Sequence, residues 1–258
     1  MRFHPRWSWL MLILAIAVGP WAHASAQSFP MGVVSHWQYY NNAGWVAFQN
    51  HDLAAAEKKF TAAINILRPY EKIDQRLLAR TYHDLARVLA ARKRYADAEL
   101  LAKWSLHIQE PDRRTRPEAI FQNVLLLAQI ARERHHDREA ESLFKSVLAL
   151  QIQALGPEHY QIALTLDDLA ALAVSLGEYP EADTLYRRAV EIHEKINPLE
   201  NLALAETLEH YATFLRRVNR AADAESQEFR ARTIRNVHAT RRAGSEARGA
   251  TQGVDGVK

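Results

Sequence analysis

The chain has no cysteine in its 258 residues, which rules out disulfides, thiolate metal sites and a lipid-modified cysteine behind a leader. Glycine is scarce as well: between Trp37 and Thr240 only Gly44, Gly156 and Gly177 occur. No phosphate-cradling glycine loop can be assembled from three isolated glycines, and neither a G-x-S-x-G nor a G-x-x-x-x-G-K motif is present, so nucleotide and hydrolase chemistry built on those devices is excluded. An excess of one charge is also missing. Lys+Arg number 33 against 30 Asp+Glu, a formal net charge of +3, which does not describe a nucleic-acid or other polyanion binder. Beyond the first twenty residues no stretch is apolar enough to cross a membrane.

Those first residues are of a different kind. Arg2 and Arg6 precede an apolar run over 10–18, followed by Gly19-Pro20 and by Ala24-Ser25-Ala26 before Gln27. A charged start, a short apolar centre and an Ala-x-Ala site read as a secretory signal peptide over residues 1–26, cleaved before Gln27. The apolar run is about half of the 18 or more residues that a spanning helix needs; an uncleaved anchor is the alternative. The expected destination is the periplasm or the exterior, with no stable membrane insertion after cleavage. Loss of Arg2 and Arg6 brings the formal charge from +3 to about +1.

From there on the chain is periodic. Ala56, Ala98, Ala140, Ala182 and Ala224 stand 42 residues apart, each followed by an acid: Glu57, Glu99, Glu141, Asp183 and Glu225. Four residues after each alanine come Phe60, Ala102, Phe144, Tyr186 and Glu228, and seven after it Ala63, Ser105, Val147, Ala189 and Ala231. This i, i+4, i+7 pattern is one face of a helix. Twelve residues before each alanine stand Gly44, Ala86, Ala128, Ala170 and Ala212, so a second helix precedes the first, and small residues on both permit close antiparallel packing. Pro69, Pro111, Pro117, Pro157 and Pro198 fall between hairpins, where a residue without an N–H interrupts no helix. A fixed period of this size denotes stacked supersecondary units.

The order small residue, aromatic or leucine, then Ala-x-x-x-aromatic-x-x-Ala, best seen from Leu166 to Ala170 and from Gly177 to Ala189, resembles the tetratricopeptide repeat. With its 42-residue spacing and the linker Leu155-Gly156-Pro157-Glu158-His159, it is similar to the kinesin light chain variety. The resemblance implies an all-α, right-handed α-solenoid of five antiparallel hairpins, over about 37–72, 79–112, 117–156, 159–198 and 201–240. A short lead over 27–36 and a disordered tail over 243–258, rich in glycine and small polar residues, complete the chain.

Chemistry-bearing clusters are few. His135-His136 falls at the turn inside the third hairpin, and the residue four after His193 is Asn197 rather than a second histidine, so no zinc-protease motif exists. No catalytic residue, cofactor site or metal site is expected. The acids after the repeat alanines should face solvent. Phe60, Phe144, Tyr186, Tyr82 and Tyr95 read as core, whereas Trp45 and Phe48 lie off the packing face. Near the C-terminus Arg230, Arg232, Arg235, Arg241, Arg242 and Arg248 have few acids close in sequence and suit the negative end of a helix dipole.

In proteins that this chain resembles, the first helices of the hairpins line a concave groove that binds a protein or peptide partner. By that pattern the inward positions are Asn41, His83, Leu125, Asp167 and Glu209; Asn42, Asp84, Leu126, Asp168 and His210; and Trp45, Arg87, Gln129, Ala171 and Thr213. The groove should then offer aromatics with Arg80 and Arg87 at its N-terminal half, Leu125 and Leu126 in the middle, and acids through Asp167, Asp168, Glu206 and Glu209 at its C-terminal half. The implied function is an exported, non-catalytic interaction scaffold, with an accessory subunit of an envelope enzyme or secretion machine as the alternative.

Overall fold

A computed structural model describes residues 30–72, 75–112, 116–196 and 201–252; the expected signal peptide lies outside them. Among the described residues ten α-helices form five antiparallel pairs: α1 (Val33–Gln49) with α2 (Leu53–Leu67), α3 (Arg76–Ala91) with α4 (Tyr95–Gln109), α5 (Pro117–Glu133) with α6 (Asp137–Leu155), α7 (Tyr160–Leu176) with α8 (Tyr179–Ile196), and α9 (Leu202–Arg217) with α10 (Ala221–Gln252). Each second helix also packs on the first helix of the next pair, which makes the stack a solenoid. No strand occurs among the described residues.

The small residues do what their register implies. Ala56, Ala98, Ala140, Ala182 and Ala224 are all 0% exposed, and Ala86, Ala128, Ala170 and Ala212 face them from the first helices, equally buried. Phe60, Phe144 and Tyr186 fill the space beside them. In the first hairpin the helices come close: a Cβ on Gly44 would lie 2.9 Å from the Phe60 ring. In the fifth hairpin Glu228 takes the aromatic's place and bonds Arg216 on α9 through both carboxylate oxygens, at 2.8 and 2.9 Å. Tyr95 is only half-buried, its hydroxyl 3.5 Å from Glu133.

A second 42-residue column closes the hairpins. His51, Lys93, His135, Gly177 and Asn219 all have positive φ, between 58° and 77°. At each turn two reverse backbone bonds end the first helix, as where Lys93 N–H donates to the Ala90 carbonyl and Arg94 N–H to that of Leu89, both at 2.9 Å. This is the Schellman arrangement, for which glycine is the favoured residue. Only the fourth hairpin has it. Lys93→Gly should therefore raise stability by about 1 kcal/mol by removing left-handed strain, read as a higher urea midpoint; an unchanged or lower midpoint would contradict it.

Four of the five acids after the repeat alanines, Glu57, Glu99, Glu141 and Asp183, are half-buried and paired, contrary to expectation, whereas Glu225 is exposed as expected. Glu57 pairs with Arg92 and Arg94 of the next hairpin, Glu99 with Arg134, and Asp183 with Arg220. At the junction between the third and fourth hairpins the signs reverse: Glu178 occupies the arginine's place and takes its bond, at 2.9 Å, from Arg138. These pairs are partly exposed and screened by solvent, so they align neighbouring hairpins more than they stabilise them.

Two boundaries differ from the expected ones. Helix α1 starts at Val33, inside the 27–36 lead. Helix α10 continues through Gln252, ten residues into the segment read as a disordered tail, because Gly244 and Gly249 weaken a helix without ending it and no proline follows. The C-terminal arginines also find acids that are distant in sequence, Arg230 pairing with Glu194 and Arg235 with Glu209.

Candidate functional site

Helix α3 turns Leu78, Leu85 and Leu89 into the core. Its opposite face carries Arg76, Arg80, His83, Asp84 and Arg87, at helical spacing, into a cavity of about 590 Å³ between the second and third hairpins. Trp45 reaches the same cavity from α1, and Asn123 from α5. Trp45, Arg80, His83, Asp84 and Arg87, all expected in the groove, thus meet at one place.

The polar groups there are tightly arranged. Asp84 is 4% exposed and accepts a bond from Trp45 Nε1 at 3.2 Å. Burial pushes its carboxyl up to about 6, against the opposing pull of Arg80, the Trp45 bond and Arg87. His83 Nδ1 lies 3.1 Å from Asn123 Oδ1; a carboxamide oxygen can only accept, so Nδ1 carries the proton. Burial lowers the imidazole to about 4, with the Asn123 bond opposing and Arg87 reinforcing the shift, so His83 is neutral at pH 7. The Trp45 ring is half-buried, edge-on to Phe48 and Phe60 at 5.7 Å, with the Arg87 guanidinium 4.9 Å from its centroid.

A second cavity, of about 450 Å³, lies between the fourth and fifth hairpins. Tyr186 and Phe214 line it with Ala171 and Val174, and Asp167, Asp168, His210 and Thr213 complete its wall with Arg132 and Arg217. Its expected acidity is largely cancelled. Asp168 is held by Arg132 at 2.6 Å and by Gln129 at 3.4 Å. Asp167 pairs with His210 at 2.7 Å, and the bond that the imidazole donates to Asp167 raises it above its ordinary value. Glu209 turns to the flank, where Arg235 binds both of its oxygens at 2.7 and 2.8 Å.

Other candidates are placed differently from the expected groove. Asn41 is 3% exposed and Leu126 6%; both are enclosed, Leu126 in the hydrophobic core that it shares with the first two hairpins. Leu125 is half-buried against the core around Phe144, and Asn42 is exposed but lines neither cavity. Residues that sequence reasoning missed include Asn123 and Gln109, joined at 2.8 Å. A periodic signal existed for them. Thr81, Asn123, Thr165 and Thr207 form a 42-residue column of buried polar side chains, and Thr165 bonds Gln151 at 2.8 Å just as Asn123 bonds Gln109. Arg116, at the end of a linker, has no periodic counterpart. Among the described residues no group of three or more histidines, cysteines or acids could hold a metal ion, and no helix is long and apolar enough to cross a membrane.

Residues 78–110 and 120–195 match models described as tetratricopeptide repeat, so these segments carry such repeats. No curated protein matches the chain significantly. Among solved structures it is similar to the nearly identical TPR-like repeats of a Podosopora anserina chain described as a kinesin light chain, with 20% identity, a TM-score of 0.64 and coverage of 78% of this chain and 95% of that one. It also resembles aspartyl phosphate phosphatase F from Bacillus subtilis, with 16% identity, a TM-score of 0.69 and coverage of 95% and 58%. The Rap conjugation gene regulator of plasmid pLS20, solved with the Phr* peptide, shares 12% identity at a TM-score of 0.64, over 77% of this chain and 53% of that one. The chain spans little more than half of these last two proteins, and at such identities the likeness is one of fold.

Proposed function

We propose that this chain is an exported, non-catalytic interaction scaffold that holds a peptide or helix of an envelope or secreted partner along the first helices of its hairpins. The observation that carries this is the convergence of charged and polar side chains on two cavities of about 590 and 450 Å³, both lined mainly by first helices. Tetratricopeptide-type folds are commonly interaction scaffolds, and the pLS20 Rap regulator was solved with a bound peptide; both support the reading. Export rests on the leader motif over 1–26, and an accessory role beside an envelope enzyme or secretion machine remains the alternative. Intact mass of the exported protein should begin at Gln27.

Partner capture from an envelope extract on immobilised mature protein, followed by affinity measurement, tests the groove. Thr213→Trp, which fills the exposed mouth of the second cavity, should weaken the captured partner at least tenfold, whereas Ser142→Trp on the outer face of α6 should leave it unchanged. The reverse pattern would move the working surface to the outer helices. Melting curves of both variants establish that they fold.

A further inference from the structure

Most arginines of the solenoid are committed to a carboxylate. Arg92, Arg94, Arg134 and Arg220 tie one hairpin to the next, and Arg132 holds Asp168. The larger cavity is different. Arg80, Arg87 and Arg116 all line it, and among the described residues none of the three forms an ion pair. Arg80 and Arg87 lie instead over indoles, 6.0 Å from the Trp37 centroid and 4.9 Å from that of Trp45. A guanidinium over a ring keeps its in-plane donors for another group.

The acids that share this lining leave those donors unclaimed. Asp84 lies beneath the surface and is bonded to Trp45, Asp112 is already engaged, and Glu118 stands exposed at the start of α5. Asn123, 1% exposed, donates to Gln109 Oε1 at 2.8 Å and to the Ala119 carbonyl at 2.9 Å, while its oxygen accepts a bond from His83 Nδ1. The cavity therefore has a fixed polar floor and three uncommitted cationic forks from two hairpins.

We propose that this cavity grips the carboxylates of an acidic segment of the partner, with Arg80, Arg87 and Arg116 as donors. The proposal rests on the concave-groove reading and adds the partner's chemistry. It also reverses the expectation of a basic partner, since Asp167, Asp168 and Glu209 are already paired with His210, Arg132 and Arg235. Guanidinium forks bind carboxylates through two parallel bonds, and a segment spanning Arg80 and Arg116 would bridge α3 and α5.

The test uses mature protein and a fluorescein-labelled hexaglutamate peptide, read by anisotropy at low salt, with hexalysine and hexaserine peptides as controls. Hexaglutamate should bind at least tenfold more tightly than either control and weaken as salt is added. Arg80→Gln with Arg116→Gln should lower that affinity at least tenfold. Arg87 is left in place because it covers Trp45, and the melting curve of the double variant verifies the fold. Arg138→Gln, at the turn of the third hairpin, removes a charge outside the cavity and should have no effect. Equal binding of the three peptides, or undiminished binding by the double variant, would overturn the proposal. So would displacement of hexaglutamate by inorganic phosphate but not by acetate, which would assign the site to phosphate groups. A captured partner that Thr213→Trp weakens but hexaglutamate does not displace would overturn this proposal while leaving the groove intact.

Discussion

Phe144→Ala should lower the unfolding free energy by about 3–5 kcal/mol, among the largest effects expected of a single core change in this chain. The ring is 0% exposed and packs in a cluster with Ala128, Ala131 and Ala140 of its own hairpin and Leu169 and Leu172 of the next. Truncation removes the ring's contacts and leaves a cavity that flanking alanines are too small to fill. In a solenoid each hairpin contacts only its neighbours, so damage in the third of five should separate the two ends. Urea unfolding followed by circular dichroism should change from one transition to two. A single transition displaced by less than about 1 kcal/mol would show that the aromatic is not what joins the hairpins.

Asp84→Asn should act in the opposite direction. The carboxyl titrates near 6 in the fold against 3.8 for the free group, and a raised acid contributes stability that is complete below the lower value and lost as pH rises through the higher one. At pH 8 the buried charge then costs up to about 3 kcal/mol, since each tenfold change in a proton equilibrium is worth roughly 1.4 kcal/mol. Asparagine cannot ionise and can still accept the Trp45 N–H. The variant should be more stable at pH 8 by about 1–3 kcal/mol, with an advantage that fades between pH 6 and 4. His83 works against this in nearly the same window: lowered from 6.5 to about 4, it contributes stability that is present above 6.5 and lost as pH falls through 4. The wild-type chain should therefore show a flat profile from these two groups, and the variant a falling one toward acid. Identical profiles would contradict the burial of Asp84. If the cavity grips carboxylates as proposed, Asp84 tempers the field of Arg80 and Arg87, so Asp84→Asn should also tighten hexaglutamate binding.

The hairpins were legible because small residues recur every 42 positions, and a position that admits only alanine or glycine in a helix is a packing contact. The left-handed turn residues share that period, but His51, Lys93 and His135 are not residue types that announce a positive φ, so chemistry alone concealed them. The site was half legible. Register places Trp45, Arg80, His83, Asp84 and Arg87 together, since α3 and α1 obey the repeat. What register could not supply is which charges cancel across hairpins. Asp168 looks like a free acid until Arg132, 36 residues earlier, is folded against it, and Glu209 until Arg235 reaches back from α10. Arg116 was missed because linkers between hairpins do not repeat. Nor does the period distinguish a groove position from one that a neighbouring hairpin covers, which is why Asn41 and Leu126 were placed in the open.

Site-specific photo-crosslinking tests the central claim most directly. A benzoylphenylalanine at Gln122, exposed beside the larger cavity, and one at Thr213, beside the second, should each form an adduct with the captured partner, while the same group at Ser142 on the outer face of α6 should form none. An adduct at Ser142, with none at Gln122 and Thr213, would place the working surface on the outer helices and contradict the account.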